Sequence, residues 1–252
     1  MKQLRRGRYD IAIDAQGLAR SAALAWLSGA PVRVGHRDAR EFGWAALTHR
    51  VPPAESPHTV DRMLSLLGPL GVPVVRDMRL TTPANCNSGL PSDAEPIVLA
   101  PTSLWPGKQW PSDRFAELAS RLHARGIGPF VVVGGPGERE QCLPLLDAPG
   151  IPIIDRVGKT SVGELMAIIE HARLVVANDS AALHIAVGYD KPIVALFGPT
   201  KTHLVGPYRR DSDVLQHADG PADSSHKDAA AGRAMMERIT VDEVERAVLD
   251  RL

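Results

Sequence analysis

The sequence has few cysteines and no excess of charge of either sign. Only Cys86 and Cys142 occur among its 252 residues, which argues against a disulfide framework or a cysteine-based metal site and favours a reducing compartment. Basic and acidic residues number 29 each, so the chain lacks the basic excess that is typical of nucleic-acid-binding modules. The nine histidines are scattered, without a His-x-x-x-His pair, and the sequence therefore predicts no bound metal.

Long apolar runs and several familiar signatures are also missing. No apolar stretch reaches the ~20 residues that span a bilayer, and no apolar core follows the basic start at residues 1–6. The sequence thus predicts a cytoplasmic protein with at most peripheral membrane contact. Residues 134–138, Gly-Gly-Pro-Gly-Glu, fit neither a Walker A loop nor the Gly-x-Gly-x-x-Gly dinucleotide pattern. The chain also lacks the Gly-x-Ser-x-Gly elbow of many serine hydrolases.

The sequence instead shows a regular alternation of apolar strand-like runs and amphipathic helix-like segments. This alternation is typical of βαβ crossovers and predicts an α/β fold with parallel sheets. Strands are predicted at residues 9–14, 32–35, 97–100, 130–133, 152–154, 174–177 and 192–196, and helices at 18–27, 59–67, 114–124, 138–146, 161–171, 180–187 and 240–252. Ser161 with Glu164, and Thr240 with Glu243, fit capping boxes that begin two of these helices.

Composition changes divide the chain into two predicted domains. Residues 81–96 are rich in Pro, Ser, Asn, Asp and Gly, which is typical of a linker. We therefore expect a first domain at 1–84, a linker at 85–95 and a second domain at 96–252. The final helix is a candidate to pack back on the first domain. Residues 211–233 are polar and irregular, and they predict a surface loop.

The most informative segment runs from Asn178 to His184 and directly follows a predicted strand. The carboxyl ends of parallel strands form the ligand-binding edge of such a sheet, and a helix start offers free N–H groups to a phosphate. Asp179 is predicted to orient a sugar, with Ser180 and the N–H groups after it on a phosphate. The alternative is that Asp179 or Ser180 simply caps the helix. His184, one turn further, is either a donor to a diphosphate oxygen or a bystander.

Other polar residues follow neighbouring strands and would meet at the same edge. Thr102 and Ser103 follow the strand at 97–100, and Lys108 lies in the next loop, where an ammonium group suits a phosphate. Gly198 and Thr200 follow the strand at 192–196. Two of these features have simpler interpretations. Lys108 could be a solvated charge in a loop, and Gly198 with Thr200 could form an ordinary turn. Glu138 either accepts from ribose hydroxyls or stabilises a helix dipole.

In the order of these motifs the chain resembles glycosyltransferase family 9, the ADP-heptose:lipopolysaccharide heptosyltransferases. Residues 9–18, 105–111, 179–184 and 196–200 are similar to segments of that family. The resemblance implies a GT-B-like architecture, two Rossmann-like domains with parallel sheets facing a cleft. It places these residues around the donor diphosphate and sugar: Thr102, Ser103, Lys108, Asp179, Ser180, Ala181, Ala182 and His184. It places Glu138 near the nucleoside, and the turn of Gly198 and Thr200 is expected to contact the same donor. It places Arg20, Arg40, His58 and Arg62 on the acceptor side, near the carboxylates of Kdo; the alternative for each of the four is an ordinary exposed surface charge.

The resemblance further implies an inverting, metal-independent transfer of heptose from ADP-heptose to the Kdo-bearing inner core, at the inner face of the inner membrane. Lys108, His184 and Asp179 are the expected catalytic residues, and no cofactor is expected. Two departures stand out. The family's Gly-Asp-x-x-His turn, which carries its proposed base, precedes the first residue here, so the N-terminal domain is expected to be incomplete, and Asp14 is a weak substitute base. Ala181 stands where the family usually has Gly.

Two alternatives follow from these departures and from the fold. The first is a nucleotide-sugar-binding remnant without catalysis. The second is another nucleotide-linked enzyme on a doubly wound fold, above all a sugar-nucleotide epimerase; an NAD-linked oxidoreductase is disfavoured by the missing Gly-x-Gly-x-x-Gly pattern.

Overall fold

The computed structural model describes residue 4, residues 6–217 and residues 228–252. The chain divides into two compact units, Met1–Asp77 with His203–Val205, and Met78–Thr202 with Gly206–Leu252. The segment expected as a linker belongs to the second unit. A contact of this segment agrees with that placement, because Arg156 donates to the Gly89 carbonyl at 2.8 Å. Residues 78–84, expected at the end of the first domain, also belong to the second unit, where Thr82 donates to Glu170 at 2.6 Å.

The first unit contains a three-stranded parallel sheet in the order β1-β2-β3. The strands are β1 (Ile11–Asp14), β2 (Val32–His36) and β3 (His49–Val51), and the helices are α1 (Ala19–Leu27) and α2 (Thr59–Ser65). Its buried apolar cluster is small and centres on Val34, Val51 and Leu66. The outer strand β1 leaves Ile11 and Ile13 nearly half exposed, at 47% and 46%.

The second unit contains a six-stranded parallel sheet in the order β6-β5-β4-β7-β8-β9. Its strands are β4 (Ile97–Ala100), β5 (Phe130–Val132), β6 (Ile153–Asp155), β7 (Leu174–Asn178), β8 (Ile193–Phe197) and β9 (Val214–Gln216). Its helices are α3 (Ser112–Ala124), α4 (Arg139–Leu146), α5 (Val162–Glu170), α6 (Ala181–Gly188), α8 (Ala229–Glu237) and α9 (Val241–Leu249). The short helix α7 (Thr202–Val205) follows β8, and its residues His203–Val205 belong to the first unit. Both capping boxes are confirmed, at Ser161 and at Thr240.

Alternate side chains of the central strands enter two separate cores. Ile97 and Leu99 of β4 pack into one cluster, whereas Val98 and Ala100 pack into the other. Both faces of the sheet are therefore covered, as all-parallel sheets require. The strand order reverses between β4 and β7, which makes this point the topological switch of a doubly wound sheet.

One prediction about the end of the chain is wrong. Residues 211–233 do not form a simple surface loop, because β9 pairs with β8 and α8 begins at Ala229 with Asp228 as its cap, the carboxylate accepting from Ala230 and Ala231 N–H. Residues 218–227 of that prediction lie outside the described residues. The final helix α9 packs within the second unit, where its buried Val244 and Val248 join the core that contains α3. Within the described part of the chain, no helix is long and apolar enough to cross a membrane.

Candidate functional site

A cavity of about 440 Å³ opens at the carboxyl ends of β4 and β7, at the switch point of the second sheet. Eight of the residues predicted around a donor line it: Thr102, Ser103, Lys108, Glu138, Asp179, Ser180, Ala181 and Ala182. The parallel sheet brings them together, since the loops after β4, β5 and β7 all leave from one edge. The site thus has the location at which open α/β sheets bind ligands.

Asp179 is the centre of a hydrogen-bonded cluster. Its Oδ2 accepts from Lys108 Nζ at 2.7 Å and from Thr200 Oγ1 at 2.8 Å. Ser103 Oγ donates to the Asp179 backbone carbonyl at 3.2 Å. The ion pair is largely buried, with the Lys108 and Asp179 side chains 17% and 13% exposed. Three strand ends, those of β4, β7 and β8, are therefore connected through one carboxylate.

The first turn of α6 faces this cluster without a side-chain cap. Ser180 occupies the cap position in an extended conformation but makes no capping hydrogen bond, and its Oγ is buried without a partner among the described residues. Asp179 does not cap the helix either, because its carboxylate is engaged with Lys108 and Thr200. The capping alternative is therefore not realised. The first N–H groups of a helix have no intrahelical partner and carry partial positive charge, which suits an anion.

Glu138 combines a place in the cavity wall with a local structural role. Its Oε2 accepts from Gly135 N–H at 2.6 Å, which closes the Gly-rich turn between β5 and α4. Leu104, Trp105, Val133, Val162 and Leu165 add an apolar wall to the same cavity. An apolar wall, a carboxylate and the uncapped start of a helix together have the chemistry that the base, ribose and phosphates of a nucleoside diphosphate require.

Three predicted donor residues do not line the cavity. His184 is exposed on α6, Thr200 reaches the site only through Asp179, and Gly198 is packed against another part of the fold. A Cβ at Gly198 would lie 2.9 Å from Met236 Sδ and 3.3 Å from the Gly107 carbonyl oxygen. The role of Gly198 in the structure is therefore close packing.

Sequence reasoning missed the contacts that hold the loop of Lys108 in place. Lys108 ends a 3₁₀ turn, Pro106–Lys108, whose Gly107 meets Gly232 of α8 so closely that a Cβ on Gly232 would lie 2.7 Å from Gly107 Cα. Asn178, fully buried at the end of β7, accepts from Trp110 N–H at 3.2 Å and donates to the Pro101 carbonyl at 2.6 Å. The sequence could have marked Asn178, because an amide side chain is unusual at the end of an apolar strand. Nothing in the local sequence indicates the contact between Gly107 and Gly232.

A second cavity, of about 460 Å³, lies in the first unit, and Arg40 and Arg62 line it as two of the predicted acceptor residues. Arg62 donates through two nitrogens to Asp38 at 3.1 and 3.2 Å, and these hydrogen bonds lower the pKa of Asp38 below its usual value. Arg40 N–H donates to the Gly17 carbonyl at 2.9 Å. The left-handed residues Glu41 and Phe42, with φ of 56° and 59°, turn the chain directly after Arg40.

The other predicted residues of the first unit lie outside this cavity. Arg20 is exposed on α1. His58 caps α2, its Nδ1 accepting from Val60 N–H at 3.2 Å. Asp14 is 3% exposed, and its Oδ1 accepts from Gln16 and Gly17 N–H at 3.1 and 3.0 Å. Asp14 therefore closes the turn after β1.

Comparison with known proteins matches this chain to one family. The model of glycosyltransferase family 9 (heptosyltransferase) matches residues 1–234. Lipopolysaccharide heptosyltransferase 3 of Escherichia coli is 29% identical over 214 residues, covering 79% of this chain and 62% of that protein. Lipopolysaccharide heptosyltransferase 1 of Pseudomonas aeruginosa is 31% identical over 229 residues, covering 87% of this chain and 62% of that protein. The chain thus spans about three-fifths of the length of these curated relatives.

Comparison with solved structures agrees on the fold. The structure of the E. coli ADP-heptose lipopolysaccharide heptosyltransferase II is similar with a TM-score of 0.76 at 22% identity, covering 99% of this chain and 78% of that one. The α/β class with parallel sheets and the GT-B-like fold expected from the sequence are confirmed.

Proposed function

Because the chain belongs to glycosyltransferase family 9, we propose that it transfers a heptose from ADP-heptose to the Kdo-bearing inner core of lipopolysaccharide, with inversion and without a metal ion. One observation carries the proposal: Lys108, Asp179 and the uncapped start of α6 line a single cavity at the switch point of the sheet. The names of the relatives support the substrate class, since they are lipopolysaccharide heptosyltransferases.

The donor is proposed to bind with its diphosphate at the start of α6. The N–H groups of Ala181 and Ala182 would meet one phosphate, and Lys108 Nζ would meet the other, exchanging part of its contact with Asp179 for phosphate oxygen. The adenosine would lie along the apolar wall of Leu104, Trp105 and Val162, with Glu138 near the ribose. Exposed Val162 and Leu104, at 71% and 81%, are then covered by the ligand.

In the proposed reaction an acceptor hydroxyl loses its proton to a base and attacks the anomeric carbon from the face opposite ADP. The bond from that carbon to the diphosphate oxygen breaks, and negative charge develops on the departing ADP. Fixed N–H groups and the Lys108 ammonium stabilise this charge without reorganisation. We assign the base to none of the described residues, since the Asp14 carboxylate closes a turn. A lipid-borne acceptor implies that the reaction takes place at the inner face of the inner membrane.

A donor-binding protein without catalysis is the second candidate, favoured by the turn-closing role of Asp14. ADP release from ADP-heptose in the presence and absence of Kdo-bearing lipid A separates the two. The transferase hypothesis expects release that depends on the acceptor. Tight binding of ADP with no release favours the second candidate, and isomerisation of the donor without acceptor would identify an epimerase. A chain that binds neither ADP nor ADP-heptose contradicts all three.

A further inference from the structure

The segment between β2 and β3 presents an exposed phenylalanine on a strained turn. Phe42 is 79% exposed and left-handed, with φ of 59°, directly after Glu41 with φ of 56°. A positive φ costs free energy for a residue with a side chain, and it is rare for a bulky one. The exposed ring adds a second cost, because apolar surface stays in water. Glycine would remove both costs, so the folded chain alone does not explain a phenylalanine here.

The turn that carries Phe42 is firmly held. Arg40 N–H donates to the Gly17 carbonyl, and Gly43 N–H donates to the Arg40 carbonyl, both at 2.9 Å. Gly43 also packs tightly at the start of α1, where an added Cβ would lie 3.2 Å from the Leu18 carbonyl group. The exposed ring therefore projects from a fixed base, and a preorganised contact of this kind costs less on binding than one that must first be ordered.

An indole and three guanidinium groups accompany the ring. Trp44 lies 6.3 Å from Phe42 between ring centroids, and the Arg50 guanidinium lies over the Trp44 ring at 4.8 Å. Arg37, Arg40 and Arg50 are all exposed. Arg37 and Arg40 form no ion pair with the residues that the structure describes.

The two carboxylates of the same segment have partners of their own. Asp38 pairs with Arg62 at 3.1 Å, and Glu41 accepts from Ala19 N–H at the start of α1 at 3.2 Å. The exposed arginines are therefore complementary to an anionic surface outside the chain. Guanidinium groups bind phosphate, indole rings prefer the headgroup level of a bilayer, and an apolar ring enters the acyl boundary. The combination has the chemistry of an anionic lipid surface.

We propose that the aromatic turn, residues 40–44, docks the first unit on an anionic membrane, with the Phe42 ring at the acyl boundary and Arg37 and Arg50 on lipid phosphates. Arg40 lines the cavity of the first unit, so docking through this turn holds that cavity at the lipid surface. The inference rests on the proposed function in one respect, that a lipid-borne acceptor has to be reached at a membrane.

Flotation of the whole chain with vesicles tests the docking without any sugar donor or acceptor. We expect binding to vesicles of phosphatidylethanolamine with phosphatidylglycerol, weaker binding to phosphatidylcholine alone, and loss of affinity as salt is raised. Phe42→Gly should weaken binding about tenfold and unfold at an equal or higher temperature, because glycine suits the positive φ. Arg50→Gln should weaken it about fivefold. The control Val75→Ser, which changes a 66% exposed apolar residue elsewhere in the first unit, should bind as the wild type does.

Unchanged vesicle affinity of a folded Phe42→Gly chain overturns the proposal, and so does equal affinity for neutral and anionic vesicles. If Phe42→Gly fails to fold, Phe42→Trp replaces it. Brominated acyl chains should quench the added indole fluorescence of Phe42→Trp but not that of Val75→Trp, and equal quenching of the two refutes insertion of the turn. A chain that binds no vesicle refutes the docking even if it transfers sugar. Failed transfer with intact vesicle binding counts against the proposed function alone.

Discussion

Substitution of Gly232 by Ala should displace Lys108 although the two residues are far apart in sequence. A Cβ on Gly232 would lie 2.7 Å from Gly107 Cα, whereas ordinary contacts of this kind are 3.4–4 Å. The 3₁₀ turn must therefore move by about 1 Å, if α8 stays fixed. A shift of that size takes Lys108 Nζ from 2.7 Å to beyond the 2.7–2.9 Å of a charge-assisted hydrogen bond.

Two opposing contributions set the stability of Gly232→Ala. Alanine in a helix is better than glycine by about 1 kcal/mol, and overpacking costs about 1–3 kcal/mol. The net loss is thus about 0–2 kcal/mol, small enough for a folded variant. The displaced Lys108 would also be misplaced for its proposed hydrogen bond to the diphosphate of ADP. A hydrogen bond to a charged group contributes about 1.5–3 kcal/mol, so partial loss of this one should weaken ADP binding roughly tenfold.

Calorimetry with ADP and thermal unfolding together check this prediction. Gly68→Ala is the matched control, because nothing lies within 4 Å of the Cβ that it would add in the first unit. The control should bind ADP as the wild type does. If Gly232→Ala folds and binds ADP with unchanged affinity, the reasoning that close glycine packing positions Lys108 is refuted.

Three further substitutions have defined outcomes. Lys108→Met should reduce ADP affinity at least tenfold, measured by calorimetry, because it removes the ammonium group from the cavity; unchanged affinity would exclude Lys108 from the diphosphate site. Asn178→Ala should lower the free energy of unfolding in urea by about 2–4 kcal/mol, since it leaves the Trp110 N–H and the Pro101 carbonyl without their partner; a loss under 1 kcal/mol would show that water replaces the amide. Burial raises the pKa of Asp155, but hydrogen bonds from Lys159, Arg139 and Val157 N–H outweigh this and lower it to about 2. The ionised Asp155 therefore adds to the free energy of unfolding at pH values above its unfolded pKa, which is near 4, and this stabilisation disappears as the pH falls towards 2. Asp155→Asn should therefore cost up to about 1 kcal/mol at pH 7, given the exposed partners, and almost nothing at pH 2, and a loss that stays the same across this range would contradict the pKa assignment.

The sequence was sufficient to predict most of the lining of the cavity in the second unit, because strand ends in a parallel sheet share one edge. Asp179 and Ser103 follow different strands, and knowing that both strands are parallel was enough to bring them together. The direction of individual side chains was not predictable in this way. His184 lies on the correct helix but does not line the cavity, since the rotation of α6 is set by how Leu183 and Ala186 pack in the core.

Short strands and distant contacts escaped prediction for physical reasons. β3 has three residues, two of them exposed and polar, and so shows no apolar run. β9 is an edge strand of three half-buried residues that depends on β8 for its hydrogen bonds. Gly107 and Gly232 contact each other through tertiary packing alone, and no local pattern marks either of them as part of the site.

A crystal structure of this chain with ADP tests the central claim most directly. We expect the diphosphate oxygens within hydrogen-bonding distance of Lys108 Nζ and of the N–H groups of Ala181 and Ala182, with the adenine against Trp105 and Val162. ADP bound elsewhere, or a diphosphate that contacts neither Lys108 nor the start of α6, would contradict the account.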